Sequence, residues 1–522
     1  NQSATRVLTT VGPEQEYFLV DREVYDRRPD LIIAGRTLFG SAPAKGQELD
    51  DHYFGSIKER VSGFMRELNY ELWKLGISAK TQHNEVAPNQ FELATIYSTA
   101  NVATDHNQLV METLRKVADR HNLVALLHEK PFKDFNGSGK HNNWSLATDT
   151  GVNLLQPGDD PQDNAQFLLF LVAVIKAVDK YAPLLRMSAS NTGNDHRLGG
   201  HEAPPAIISL FLGDTLTEVL EGIASDKPVQ VRNGDTLEVG VTTLPKLPKH
   251  LTDRNRTSPF AFTGNKFEFR MVPSSQSIAL ANTVLNTTVA DVLAEFADRL
   301  EKARVENQDV NEVVKSIVKE TYSAHSRVVF NGNGYAEEWV KEAESRGLPH
   351  FRSTVDTIGE LTSKEATELF ARQKVYSYEE LLSQKTICYE KFSKQVTIEA
   401  NIMISMVRSA IVPAVNSYMG ELAGTAQAVY AVDPQLDVSL QKKLLAELID
   451  HSRALTAHTE ELEKLLREAE AMDKNGYEAA RFYRYRVMEK MSELRSFGDS
   501  LEKVLPRRLW PFPSYEEMLL QL

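Results

Sequence analysis

Four short runs of this chain hold six potential metal ligands, five of them glutamates, at positions where strand geometry aims side chains to one face. They are Gly12-Pro13-Glu14-Gln15-Glu16, Glu85-Val86-Ala87-Pro88-Asn89-Gln90-Phe91-Glu92, Asn136-Gly137-Ser138-Gly139-Lys140-His141 and Lys266-Phe267-Glu268-Phe269-Arg270. Side chains alternate along a strand, so Glu14 and Glu16 share a face, as do Glu268 and Arg270, while Phe267 and Phe269 take the other. The pattern is a charged wall backed by a core.

Carboxylates held close together raise one another's pKa or demand a counter-cation. Glutamates with one histidine form a hard donor set that suits Mg²⁺ or Mn²⁺, and divalent ions beside arginines point to phosphate chemistry. Taken singly, each residue has an ordinary reading. Glu14 and Glu16 are a solvated strand face, His141 a hydrogen-bonded loop histidine, Arg197, Arg256 and Arg270 surface or salt-bridge groups, and Glu202 a turn acid. The Gly137-Ser138-Gly139-Lys140 stretch lacks the spacing of a phosphate-binding loop. Only the joint, ordered occurrence of the runs favours a site.

The runs VGPEQEYFL, HNEVAPNQFELA, NGSGKHNNWSL, RLGGHEAPP, RNRTS and KFEFR resemble the successive signature segments of glutamine synthetases, over roughly Val11 to Thr288. The long tail beyond them resembles the large type III form. The resemblance implies a metal cluster of Glu16, Glu85 and Glu92 nearer glutamate, and a second of Glu14, His141 and Glu268 that escorts the nucleotide phosphates, with two or three Mg²⁺ or Mn²⁺ ions per site. It implies that Asn136 and Gly137 line the glutamate site, that Arg197 grips the α-carboxylate bidentately, and that Ser145 touches the nucleotide. Arg256 and Arg270 would stabilise the phosphate in transfer, and Glu202, in the flap-like stretch Gly199-Gly200-His201-Glu202-Ala203-Pro204, would close the site and take a proton from ammonium. The implied fold is α+β: a curved antiparallel sheet of the glutamine synthetase/guanido kinase catalytic type with helices outside, then a mostly helical C-terminal region.

The implied activity is ATP-dependent ligation of ammonia to the γ-carboxylate of L-glutamate through γ-glutamyl phosphate. A carboxylate is a poor electrophile and an acyl phosphate hydrolyses readily in water, so both the activation and a closing flap have a purpose. The chain departs from the family pattern twice. No second arginine follows Arg256 in the run to Asn265, so no equivalent nucleotide contact is assigned. The chain opens at Asn1, just ahead of the first strand, where the family carries a small β-rich domain whose aspartate reaches a neighbour's ammonium site, and the site is therefore expected to be incomplete. The tyrosine segment adenylylated in some bacterial relatives is not found. The implied assembly is a hexameric ring, doubled to a dodecamer.

At 522 residues the chain is long enough for two or three domains, with a catalytic domain expected over 1–300 and a helical region over 301–522. The single cysteine, Cys388, excludes a disulfide framework and fits a reducing cytoplasm. A net charge of -13 argues against nucleic acid and anionic membranes as partners. No apolar run is expected to reach the ~18 residues of a membrane span.

Periodicity predicts a strand over Val11–Val20 and a helix from Phe54 to Leu75 that stops at Gly76. A hairpin over Thr81–Thr95, bent at Pro88-Asn89, is predicted next, then helices from Asn107 to Leu127 and from Asp163 to Leu185. Loops are expected at Asn233-Gly234-Asp235, at Leu244–Pro248 and from Ser258 to Asn265. Beyond Ser277 the pattern is helical. Leu448, Leu455 and Leu462 form a seam, and Asp473-Lys474-Asn475-Gly476 breaks it, which predicts a helical hairpin near 436–504 whose seam packs within the chain or between subunits.

Three rival readings remain at this level. One is a γ-glutamyl ligase for an amine other than ammonia, another a catalytically silent ring protein, which should have lost a ligand or a phosphate arginine. The third is a two-metal phosphoesterase, against which Arg197 weighs.

Overall fold

The longest strand, β1 (Val7–Asp21), runs through the middle of the main sheet. The structure is a computed structural model and describes residues 4–158, 160–200, 203–227, 236–237, 247–248, 257–473 and 475–521. The other strands are β2 (Ala79–Asn84), β3 (Gln90–Thr95), β4 (Ser98–Thr99), β5 (Leu123–Leu126), β6 (Lys140–Thr148), β7 (Leu210–Phe211), β8 (Thr236–Leu237), β9 (Leu247–Pro248), β10 (Phe260–Phe262) and β11 (Phe267–Phe269). The main sheet is open, in the order β2-β3-β1-β6-β11-β10-β7, with β4 and β5 also paired to β1. Its pairs are antiparallel except β10 with β7, and β8 pairs separately with β9. This is the α+β architecture the sequence implied.

Alternation sorts the sheet into two faces. On the back, Tyr17, Leu19, Phe91 and Leu93 pack on helices Glu59–Lys74 and Ala100–Arg120, while Val11, Trp144, Phe267 and Phe269 join a second core with helices Ala165–Lys180 and Ala279–Val305. The front carries the intervening residues of the same strands, and these build the site.

Several boundaries differ from expectation. The helix predicted from Asn107 to Leu127 runs over Ala100–Arg120, because Asn122 turns the chain at φ 52° and the apolar stretch after it pairs with β1 as β5. The stretch from Asp163 to Leu185 divides into Ala165–Lys180 and Ala182–Ser188, with Pro183 at the start of the second helix, where a missing N–H costs least. The helix expected from Phe54 starts at Glu59 and, as expected, precedes a left-handed Gly76. The loop expected from Ser258 to Asn265 contains β10, whose Phe260 and Phe262 are drawn into the core, and the one at Leu244–Pro248 contains β9. Asn233-Gly234-Asp235 lies outside the described residues.

Beyond β11 the described chain is helical apart from turns and isolated bridges at Pro273, Val329 and His350. Helix Ser439–Glu470 packs against Met488–Val504, and Leu448, Leu455 and Leu462 are fully buried between helices of this one chain, so the seam is internal packing. The continuous helix Tyr378–Val432 is long and apolar enough by composition to cross a membrane, which the sequence reading did not expect, and 44% of its most apolar 18-residue stretch is buried inside the chain. The last helix, Tyr515–Leu519, returns to the first strand: Tyr515, Met518 and Leu519 pack with Phe18, Val20 and Phe132.

Candidate active site

Strand register brings the acidic runs together. Glu14 faces His141 across β1 and β6, Glu16 faces Glu92 across β1 and β3, and Glu268 on β11 faces Asn143, one alternation along from His141. Glu85 follows the end of β2 in the tight connection to β3, where its amide donates to the Gln90 carbonyl at 2.9 Å and Asn89 adopts φ 59°. All six candidate ligands line one cleft of about 380 Å³, together with Asn136, Gly137, Arg197 and Arg270.

Ligand atoms gather in three groups. His141 Nδ1 lies 3.3 Å from Glu14 and 3.0 Å from Glu268, and its Nε2 lies 3.8 Å from Glu16. Glu14, His141 and Glu268 thus form one set, as the resemblance implied, and Glu16 and Glu92 gather with His141 in a second. Glu85 joins a third set with Glu92 and His83, whose Nε2 stands 2.7 Å from Glu85 and 3.8 Å from Glu92. The expected trio of Glu16, Glu85 and Glu92 is therefore divided between two sets that share Glu92.

The electrostatics are those of crowded anions. Burial, and then the fields of Glu14, Glu85 and Glu16, push the Glu92 carboxyl well above the usual range. Glu16 is also raised, chiefly by burial, although the Gly139 amide donates to it. Burial alone would lower the His141 imidazole, but hydrogen bonds to Glu14 and Glu268 and the field of Glu16 hold it well above its ordinary value. Burial would raise Glu268, yet His141 and Arg270 hold it well below the carboxylate range. Crowded carboxylates that raise one another, around an imidazole whose proton a cation would displace, are a donor set that fits divalent cations.

The arginines are placed with equal care. Arg270 Nη2 donates to Glu268 at 2.9 Å. Arg197 is buried; its Nη2 donates to the Arg270 carbonyl at 3.0 Å and its Nη1 to Asn194 Oδ1 at 3.3 Å. Asn194 is itself fixed through its amide to the carbonyls of Ala189 and Met271. The guanidinium lies over the glycine run: a Cβ at Gly139 would stand 2.1 Å from Arg197 Nη2, and one at Gly137 2.8 Å from its Cγ. Only glycine admits that approach. Asn136 is held by Gln47, whose Oε1 accepts from the Asn136 amide at 2.9 Å and whose Nε2 donates to Asn136 Oδ1 at 2.6 Å.

Ser145 is two alternations along β6 from His141, donates to the Asn265 carbonyl at 2.8 Å, and does not line the cleft. Glu202 and Arg256 lie outside the described residues. Sequence reasoning missed His83, Tyr53, Gln90, Tyr335 and the supporting Asn194 and Gln47. His83 had a signal, since it lies two residues before Glu85 and opposite Glu92. Tyr335 had none, because it arrives from a connection between helices far along the chain.

A sheet whose front is a carboxylate wall flanked by buried arginines defines a class: α+β proteins with a cleft for divalent cations beside anionic substrates. Comparison with known proteins narrows it. The family description "Glutamine synthetase, catalytic domain" matches residues 2–208, and "Glutamine synthetase C-terminal domain" matches residues 313–430. The glutamine synthetase of Butyrivibrio fibrisolvens is 46% identical over 528 residues, covering 100% of this chain and 74% of that protein. The type-3 glutamine synthetase of Dictyostelium discoideum is 43% identical, over 99% of this chain and 71% of that one, and the glutamine synthetase of Bacteroides fragilis 41% identical, over 99% and 72%. The chain belongs to the glutamine synthetase family. The type-3 name among these relatives agrees with the large form to which the helical tail pointed.

Proposed function

We propose that this protein ligates ammonia to the γ-carboxylate of L-glutamate at the expense of ATP, through γ-glutamyl phosphate. The observation that carries the reading is the joining of three carboxylate-histidine sets to Arg197 and Arg270 in one cleft, in a chain whose relatives are glutamine synthetases. Mg²⁺ or Mn²⁺ ions held by Glu14, Glu16, Glu85, Glu92, His141 and Glu268 would neutralise nucleotide and transferring phosphate oxygens.

In this reading Arg197, presented beside Asn136 and Gly137, takes the α-carboxylate of glutamate, which leaves the γ-carboxylate to face the wall. A γ-carboxylate oxygen attacks the γ-phosphorus of ATP and ADP leaves. Arg270, anchored to Glu268, stabilises charge on the transferring group, with Arg256 as its proposed partner. Ammonia then attacks the acyl carbon and phosphate departs. Glu202 is the proposed base that frees ammonia from ammonium, and the stretch around it the proposed cover that keeps water from the acyl phosphate. His83, beside Glu85 and Glu92, adds an imidazole to the edge of the wall. Assembly into stacked hexameric rings and residence in the cytoplasm are further parts of the proposal.

Phosphate release from ATP with Mg²⁺ and glutamate, with and without ammonium, tests it on the purified protein. Release that requires ammonium and yields glutamine is the expected result. Release with another amine but not with ammonium would move the reading to a different γ-glutamyl ligase, and no release at all would overturn catalysis.

A further inference from the structure

A second cavity, of about 160 Å³, lies where the helical region meets the first half of the chain, and it shares no lining residue with the cleft. Arg36, Lys130, Lys133, His196 and Arg495 line it, and among the described residues no acidic one does. Two of the cations are already paired: Arg36 with Glu399 at 3.1 Å and Arg495 with Asp499 at 3.0 Å. Lys130 is buried and gives its ammonium to the Phe135 carbonyl, while Lys133 is exposed; neither forms an ion pair among the described residues. Among the described residues, His196 Nε2 is shut off from water without a hydrogen bond. Burial, and then the fields of Arg36, His128, Arg484 and Arg495, push the His196 imidazole well below its usual value. Burial likewise lowers the Lys130 ammonium to about 8. Positive charge in excess, beside a buried polar atom without a partner, is what an anion would satisfy.

The rest of the lining gives the chemical class. Leu38, Met403, Met488 and Met491 supply an apolar, adaptable surface, with Ser492 between. A compact inorganic anion would leave four apolar side chains against a charge. We propose that this cavity binds a small organic carboxylate, with its carboxylate at Lys130 and Lys133 and its apolar body against Met403, Met488 and Met491.

Thermal melts and calorimetric titration of the purified protein with 3-methylbutanoate, 2-oxo-3-methylbutanoate and inorganic phosphate test the assignment. The two carboxylates should raise Tm saturably and phosphate should not. Lys133→Met should weaken carboxylate binding by at least about tenfold, and Met488→Glu, which places a competing carboxylate in the cavity, should do the same. Glu268→Ala, which damages the cleft instead, should leave it unchanged. Lys133 is exposed, so its variant keeps the test open if Met488→Glu fails to fold. The proposal is overturned by carboxylate binding that is absent, that is equal in wild type and Lys133→Met, or that disappears in Glu268→Ala, and by phosphate binding in place of the carboxylates.

Discussion

Glu268 shows how a single side chain depends on its neighbours. Its buried carboxylate would be costly alone, and it stays anionic because His141 and Arg270 each reach it within 3.0 Å. Glu268→Ala removes a ligand and a like charge together. We expect ATP-dependent turnover to fall by at least about 10²-fold while the far-ultraviolet circular dichroism stays that of the wild type. Stabilisation by added Mg²⁺, read as a rise in Tm, should shrink in the same variant. Turnover equal to that of wild type would remove Glu268 from the metal wall. Residues of this kind were legible in the sequence because a carboxylate needs a reason to sit between two phenylalanines on a strand. Asn194 and Gln47 were not, because an amide that merely orients another side chain leaves no periodic mark.

Among the elements, helix Ala279–Val305 is tied to its surroundings by Asp291. That carboxylate accepts from Arg372 at 2.8 and 3.0 Å, from Tyr181 at 2.7 Å and from Gln373 at 3.1 Å. Burial would raise its pKa, but these hydrogen bonds prevail and hold it at about 2. An acid whose folded pKa is depressed contributes stability that is present above its ordinary value and lost as pH falls through the folded one. The stability advantage of wild type over Asp291→Asn should therefore be full above pH 3.8 and fade toward about pH 2, as melts across that range would show. In the C-terminal hairpin, Leu455 is fully buried in the seam. Leu455→Ala should cost about 2–5 kcal/mol by leaving a cavity, measurable by urea unfolding. The seam's period was plain in the sequence. Which surface covered it was not, since any apolar face of matching shape satisfies the same period.

Across the whole molecule, the C-terminal helix closes on the front of the first strand. The Tyr515 hydroxyl meets Thr37 Oγ1 at 2.7 Å, Arg495 Nη2 at 2.8 Å and the Lys133 amide at 3.0 Å, so it ties the last helices to the loops around the cleft. Tyr515→Phe should lower stability by about 1–3 kcal/mol, because it leaves buried partners unsatisfied, and denaturant midpoints would measure it. A midpoint equal to that of wild type would show that the tie contributes nothing. The sequence by itself determined the period of the strands, the chemical type of the ligands and the order of the motifs, because alternation and donor chemistry are local properties of the chain. Only the tertiary structure decided that Glu92 is shared between two ligand sets, that His83 and Tyr335 enter the cleft, and that Arg197 lies over Gly137 and Gly139. Register, and the approach of segments far apart in sequence, are set by packing of the whole core, and no local pattern encodes them.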